Sequence, residues 1–249
     1  MATKRKTGTA GKSSNVETIA SAAAAEESPA ASEAAGAQAP EPAAGGDAAA
    51  DQPAAGSGTS SDAANLRQMA TWHGAAAIAA LTLFGAAHTW AAATGLPLAV
   101  GNAIAAAFLA GMVLAPLFHE WGHFAGARLS GAVSPVLEKP YRLFFMFRFD
   151  MQANDTRQAL WMSWGGQVGS WLLAAAILLL VPMDSFASAM LLATAVGQAF
   201  NASLFEIPVI MRTRAGADFE AELNARLKTV GVRQMPGLIV GLVILAALT

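Results

Sequence analysis

The stretch Asn102–Ala127, NAIAAAFLAGMVLAPLFHEWGHFAGA, decides how this chain is read. It is long and apolar enough for a membrane span, which needs about 20 residues, yet its last third carries His119, Glu120 and His123. Residues four apart on a helix share a face, so both imidazoles can reach a single zinc ion. Glu120, beside the first histidine, can take a proton from a water and deliver it to a leaving amine. Two imidazoles and a carboxylate are costly in hydrocarbon unless paired or metal-bound, and ionisable groups in membrane helices are usually functional. A structural zinc normally has four protein ligands, often cysteines, and this chain has no cysteine. The pattern therefore points to a catalytic site with three protein ligands.

Outward from this segment the composition divides the chain in two. Across 249 residues it is 55% hydrophobic and 13% charged, with a mean hydropathy of +0.44. Residues 1–65 are mostly Ala, Pro, Gly, Ser, Thr and Glu with almost no large apolar side chain. Such a segment cannot bury enough surface to offset its chain entropy, so a disordered, solvated tether is expected. Its basic start, Lys4-Arg5-Lys6, lacks the apolar core of a signal peptide, so no cleavage is expected there. No nucleic-acid partner is expected either. The missing cysteines exclude disulfides, thiolate catalysis and Cys-ligated zinc. The net charge of −2 says little, because acidic residues crowd into the tail.

From Leu66 onward the sequence is nearly continuous apolar segments with short polar breaks, the pattern of a polytopic membrane protein. Four spans are expected, at Met69–Ala93, Asn102–Ala127, Leu160–Met183 and Phe186–Met211, with a shorter fifth segment at Met235–Thr249. All fifteen Lys and Arg residues lie before or at Arg67, in Arg128–Arg157, or in Arg212–Arg233. The turns Thr94–Gly101 and Pro182–Ser185 have none. Under the positive-inside rule this alternation puts the N-terminus and the three basic regions in the cytoplasm. His123 precedes Arg128 by five residues, about 7.5 Å of helix, so the site is expected inside the bilayer near that face.

For the third metal ligand two acids are credible. Glu206 precedes Arg212 by six residues and so lies at about the depth of His123. Asp218 opens the amphipathic run Asp218–Leu223, where it can equally serve as a helix N-cap. The residues alone leave both open. His73 and His88, near opposite ends of the first span, are too far apart to share a metal and read as packing histidines.

Several stretches resemble the site-2 protease family of intramembrane zinc metalloproteases over roughly residues 115–227. HEWGHFAGARLSG (His119–Gly131) is similar to that family's first motif, in which the two histidines bind zinc and the glutamate is the base. Asp155–Gly169, with its Ser-Trp-Gly-Gly, is similar to the approach to the next core helix, where Gly165 and Gly169 would let a neighbour come close. Leu143–Met151 alternates as a strand, in agreement with the membrane-associated β-hairpin that follows the HExxH helix in these proteases. Its open edge could pair with an unwound substrate segment. The second family motif is Asn, Pro and then Asp-Gly in a partly unwound helix. Here Asn201 and Pro208 are present at unusual spacing, and Gly216-Ala217-Asp218 is the nearest equivalent of the last part. If the helix unwinds after Pro208, Asp218 can return to the zinc. The resemblance thus implies Asp218 as third ligand, with Glu206 in reserve, and Asn201 as a substrate-positioning residue; on the residues alone, a lone Asn in a span can equally join one helix to another.

The expected fold is an all-α membrane bundle of four or five transmembrane helices with a small β-hairpin between the second and third spans. The expected activity is zinc-dependent hydrolysis of peptide bonds in or near transmembrane segments of membrane proteins. Zn2+ would be held by His119, His123 and Asp218, with Glu120 as base. Loops between spans are too short to form a further domain. Two alternatives remain at this point. One is a membrane metalloprotease of the other HExxH type, with a glutamate as third ligand. The other is a non-enzymatic scaffold built on the protease fold.

Overall fold

The computed structural model describes residues 57–141, 144–227 and 235–249. Helix α1 runs Ser57–Thr94 and α2 runs Pro97–Leu129, followed by strands β1 (Val136–Tyr141) and β2 (Phe145–Phe147). Then come α3 (Thr156–Leu180), α4 (Phe186–Arg214), α5 (Phe219–Leu227) and α6 (Met235–Leu248). Four of these helices, α1 to α4, are long and apolar enough to cross a membrane; α1, α2 and α4 each contain an expected span, while α3 ends at Leu180, three residues short of the expected Met183. Residues 1–56 of the expected tether lie outside the described residues, and 57–65 form the first turns of α1. At 14 residues, α6 covers about 21 Å, short of a roughly 30 Å hydrocarbon core. Residues 231–234, which precede it, lie outside the described residues.

Local chemistry sets the helix ends. Gly95 takes the positive φ of 64° that ends α1, and Pro97 opens α2, where its missing N–H has no helical partner to lose. After α2, Gly131 (φ 75°) lets Ala132 N–H reach Ala127 O at 2.9 Å while its own N–H reaches Arg128 O. Asp155 and Gln158 form a reciprocal capping box at the start of α3. Ser185 caps α4 by accepting from Ser188 N–H.

The core lies where α1, α2, α3 and α4 meet and is rich in alanine, with Ala103, Ala106, Ala107, Ala110, Leu114, Leu173, Leu191 and Leu192 buried together. Small residues bring the backbones of α2 and α3 into contact. A Cβ on Gly122 or Gly126 would meet the backbone carbonyls of Gly165 or Trp161, and one on Gly169 would meet that of Phe118. Such close approach is how helices pack where lipid offers no hydrophobic drive. Many large side chains on the outer faces stay exposed, among them Ile78, Leu98, Leu179 and Leu180, as suits a bundle surrounded by hydrocarbon.

β1 and β2 pair antiparallel, with Val136 opposite Phe147 and an irregularity before Tyr141 opposite Phe145. A two-stranded hairpin is therefore present where it was expected, though β2 is shorter than the alternating stretch Leu143–Met151. The chain leaves the strand because Asp150 accepts Gln152 N–H and Asn154 clasps both Val133 N–H and Val133 O. One face of the hairpin packs Val136 and Met146 against Met69 of α1 and Phe124 of α2. The first turns of α1 hold it as well. Asp62 accepts Val136 N–H at 2.7 Å, Asn65 donates to Val136 O at 3.1 Å, and Arg128 pairs with Asp62.

Candidate metal centre

His119 and His123, one turn apart on α2, turn their rings toward α3 and α4. Their Nε2 atoms lie 3.0 Å apart. Glu206 of α4 places Oε1 at 2.9 Å from His119 Nε2 and 3.0 Å from His123 Nε2. Among the described residues this is the one group of three or more His, Asp or Glu side chains that could hold a metal ion.

The opposite nitrogens explain why these three atoms face one another. His123 Nδ1 lies 2.9 Å from Met162 O, and His119 Nδ1 lies 3.1 Å from Gly166 O and 2.9 Å from Ser170 Oγ. A carbonyl oxygen only accepts, so each Nδ1 carries the proton and donates it. A neutral ring then presents Nε2 as a bare lone pair. With both rings neutral, the two nitrogens and the carboxylate oxygen converge as three acceptors, an arrangement that a cation satisfies. Three atoms about 3 Å apart can all reach one ion at the roughly 2.0–2.2 Å ligand distances of zinc. Histidine Nδ1–H held by backbone carbonyls is also the usual outer support of metal-binding imidazoles. The donor set fits a divalent metal.

The backbone around the rings is shaped for them. A Cβ at Gly166 would overlap the His123 imidazole, so only glycine there lets α3 pass the ring while offering its carbonyl to His119. Glu120 is 6% exposed and accepts the backbone N–H of Met146 on β2 at 3.3 Å. The hairpin thus lies directly over the carboxylate next to the histidines. Trp121 donates its indole N–H to His73 Nδ1 at 3.1 Å, tying α2 to α1. His73 lies outside the metal group. So does His88, which packs on Phe84 and sits 3.4 Å from Ser185 Oγ.

The carboxylate beside the histidines is that of Glu206, and Asp218 does not join them. The expected return of Asp218 required α4 to unwind after Pro208. Instead α4 continues as helix to Arg214. Pro208 leaves the Leu204 carbonyl without its helical donor, and Arg226 Nη1 takes that carbonyl at 3.2 Å. Asp218 lies beyond Gly216 (φ 99°) and caps α5, its Oδ1 accepting Ala221 N–H at 2.7 Å. Asn201 accepts Gly237 N–H at 2.8 Å. That N–H belongs to the first turn of α6, where a helix has no acceptor of its own, so Asn201 joins α4 to α6.

Four residues of the centre escaped the sequence reading: Ser170, Gln167, Ser203 and Trp171. Gln167 Nε2 donates to Glu206 Oε2 at 2.7 Å. Ser203 Oγ bonds Gln167 Oε1 at 2.7 Å and receives the indole N–H of Trp171 at 3.1 Å. The available signal was a glutamine in the middle of an apolar span, a residue that must find a polar partner there. Comparison of the chain with protein-family models, with curated proteins and with solved structures found no match in any of the three.

Proposed function

We propose that this chain is a membrane-embedded zinc metalloprotease that hydrolyses peptide bonds in or near transmembrane segments, with His119, His123 and Glu206 as metal ligands. The convergence of two Nε2 lone pairs and one carboxylate oxygen inside an apolar bundle, one residue from Glu120, carries the proposal. A zinc ion held there supplies Lewis acidity to the scissile carbonyl and makes water easier to deprotonate. Glu120 takes a proton from the attacking water as its oxygen bonds to the carbonyl carbon, then passes that proton to the departing nitrogen as the C–N bond breaks. Met146 N–H orients the Glu120 carboxylate for this exchange.

A substrate helix hides its carbonyls in hydrogen bonds and must unwind locally before attack. The hairpin beside Glu120 offers backbone groups to receive such an extended segment. The basic ends of α2 and α4, Arg128, Arg212 and Arg214, lie on the ligand-bearing side of the bundle. Together with the positive-inside rule this supports a site and an N-terminus on the cytoplasmic side. The site-2 protease resemblance supports the HExxH helix and the hairpin. The glutamate ligand departs from that family's Asp-Gly motif and favours a second reading, a membrane metalloprotease that cleaves peptides at the membrane surface.

The test is cleavage of a labelled transmembrane peptide in liposomes, beside a soluble peptide of equal length, by wild type and Glu120→Gln. A carboxamide oxygen still accepts from Met146 N–H, so the variant keeps its fold but has no base. Wild-type cleavage of the membrane peptide, lost in Glu120→Gln, is expected. Cleavage of the soluble peptide alone selects the surface protease. Equal products from both chains refute hydrolysis through Glu120.

A further inference from the structure

Glu206 uses its two oxygens differently. Oε1 faces the histidine pair at 2.9 and 3.0 Å, while Oε2 receives the Gln167 amide N–H at 2.7 Å. Gln167, 3% exposed, is itself held. Its Oε1 takes the hydroxyl of Ser203, whose proton is shared with Ala199 O at 2.8 Å, and Ser203 Oγ accepts from the Trp171 indole. An indole N–H only donates, so the chain runs from Trp171 to Ser203 to Gln167 to Glu206. A flipped amide would set the glutamine oxygen against the carboxylate, two acceptors face to face. The orientation is therefore fixed from both ends. All four side chains come from α3 and α4, alternating across the contact of these two helices.

We propose that Gln167 is a positioning residue of the metal centre: by occupying Oε2, with Ser203 and Trp171 holding it in place, it makes Glu206 a one-oxygen ligand. This role rests on the metal site proposed above. A carboxylate binds a metal through one oxygen or through both. Without the amide, Oε2 is free to swing toward the ion and take up a position that hydrolysis needs for water and substrate. Removing outer partners of metal ligands typically weakens metal affinity by about 10–100-fold.

The experiment titrates full-length protein in detergent with Zn2+ and with Co2+, using wild type, Gln167→Leu, Ser203→Ala, Ser203→Thr and Trp171→Phe. Affinities come from competition with a chelating dye, and the visible absorption of the Co2+ form reads coordination number, since it weakens as a fourth-to-fifth ligand is added. Gln167→Leu is expected to bind about 10–100-fold more weakly with a weaker Co2+ band, Ser203→Ala and Trp171→Phe to fall between, and Ser203→Thr to restore wild-type behaviour. Should Gln167→Leu fail to fold, Ser203→Ala and Trp171→Phe decide the matter by the same readouts. Unchanged affinity or an unchanged Co2+ spectrum in folded variants overturns the positioning role alone, whatever happens to thermal stability. A folded wild type that takes up neither metal overturns the metal centre itself.

Discussion

Replacing Gly122 by alanine should unseat both histidines without altering either. A Cβ at this position would lie 2.9 Å from the Gly165 carbonyl carbon and 3.2 Å from Gly166 Cα, and nearer still to the Gly165 oxygen. These neighbours are backbone atoms, so no rotamer change relieves the overlap. In an interior packed at crystal density, α2 and α3 must part by about 1 Å to accept the methyl. Such a shift lengthens the His123 Nδ1 to Met162 O contact from 2.9 Å and the His119 Nδ1 to Gly166 O contact from 3.1 Å. Both then approach about 4 Å, beyond hydrogen-bonding range. The expected cost is about 1–3 kcal/mol of stability from overpacking and about 10–100-fold in zinc affinity from the lost outer partners. Thermal denaturation and chelator competition in detergent measure the two. Gly85→Ala in α1, where nothing lies within 4 Å of the added Cβ, serves as the control: it should leave zinc affinity unchanged and raise stability by about 0.5–1 kcal/mol through helix propensity. A folded Gly122→Ala chain with wild-type zinc affinity would refute the claim that the α2–α3 approach holds the imidazoles.

Asp218→Ala should cost about 1 kcal/mol through loss of the α5 cap, read as a lower denaturation temperature. Pro208 and Arg226 should be coupled. Arg226→Met destabilises the wild type but has less effect in Pro208→Ala, where a restored N–H serves Leu204 O, and additive effects in the double-mutant cycle would dismiss the compensation. Asp62→Ala should loosen the hairpin, because it strips Val136 N–H of its acceptor and Arg128 of its carboxylate partner, leaving the guanidinium its bond to Ser134 O. Faster amide exchange at Val136, with α3 unaffected, is the expected result.

Hydropathy made the four long helices legible, since Gly, Pro, Asp or Ser stands at or within two residues of the helix ends between them. The HEWGH pattern likewise carried its own spacing, and helical periodicity was enough to put both imidazoles on one face. The hairpin was half legible. The Phe alternation marks β2, but β1 contains Glu138, Lys139 and Pro140 and shows no alternation to read. Glu206 was harder, because it meets the histidines from 83 residues away and depth reckoning is only as good as the helix's continuity. Pro208 suggested a break there, and the side chain that bridges it, Arg226, belongs to a different helix. Gln167 was hidden by its surroundings: among Gly165, Gly166 and Gly169, a polar residue reads as packing rather than as support for a ligand, and Ser203 becomes legible only once Gln167 is seen to reach it from the neighbouring helix.

The most direct test is the zinc content of detergent-purified protein, by elemental analysis, for wild type, Glu206→Ala and Asp218→Ala. About one zinc per chain in wild type and Asp218→Ala, with none in Glu206→Ala, is predicted for a three-ligand site. Folded wild type without zinc, or zinc that survives Glu206→Ala and disappears with Asp218→Ala, would contradict it.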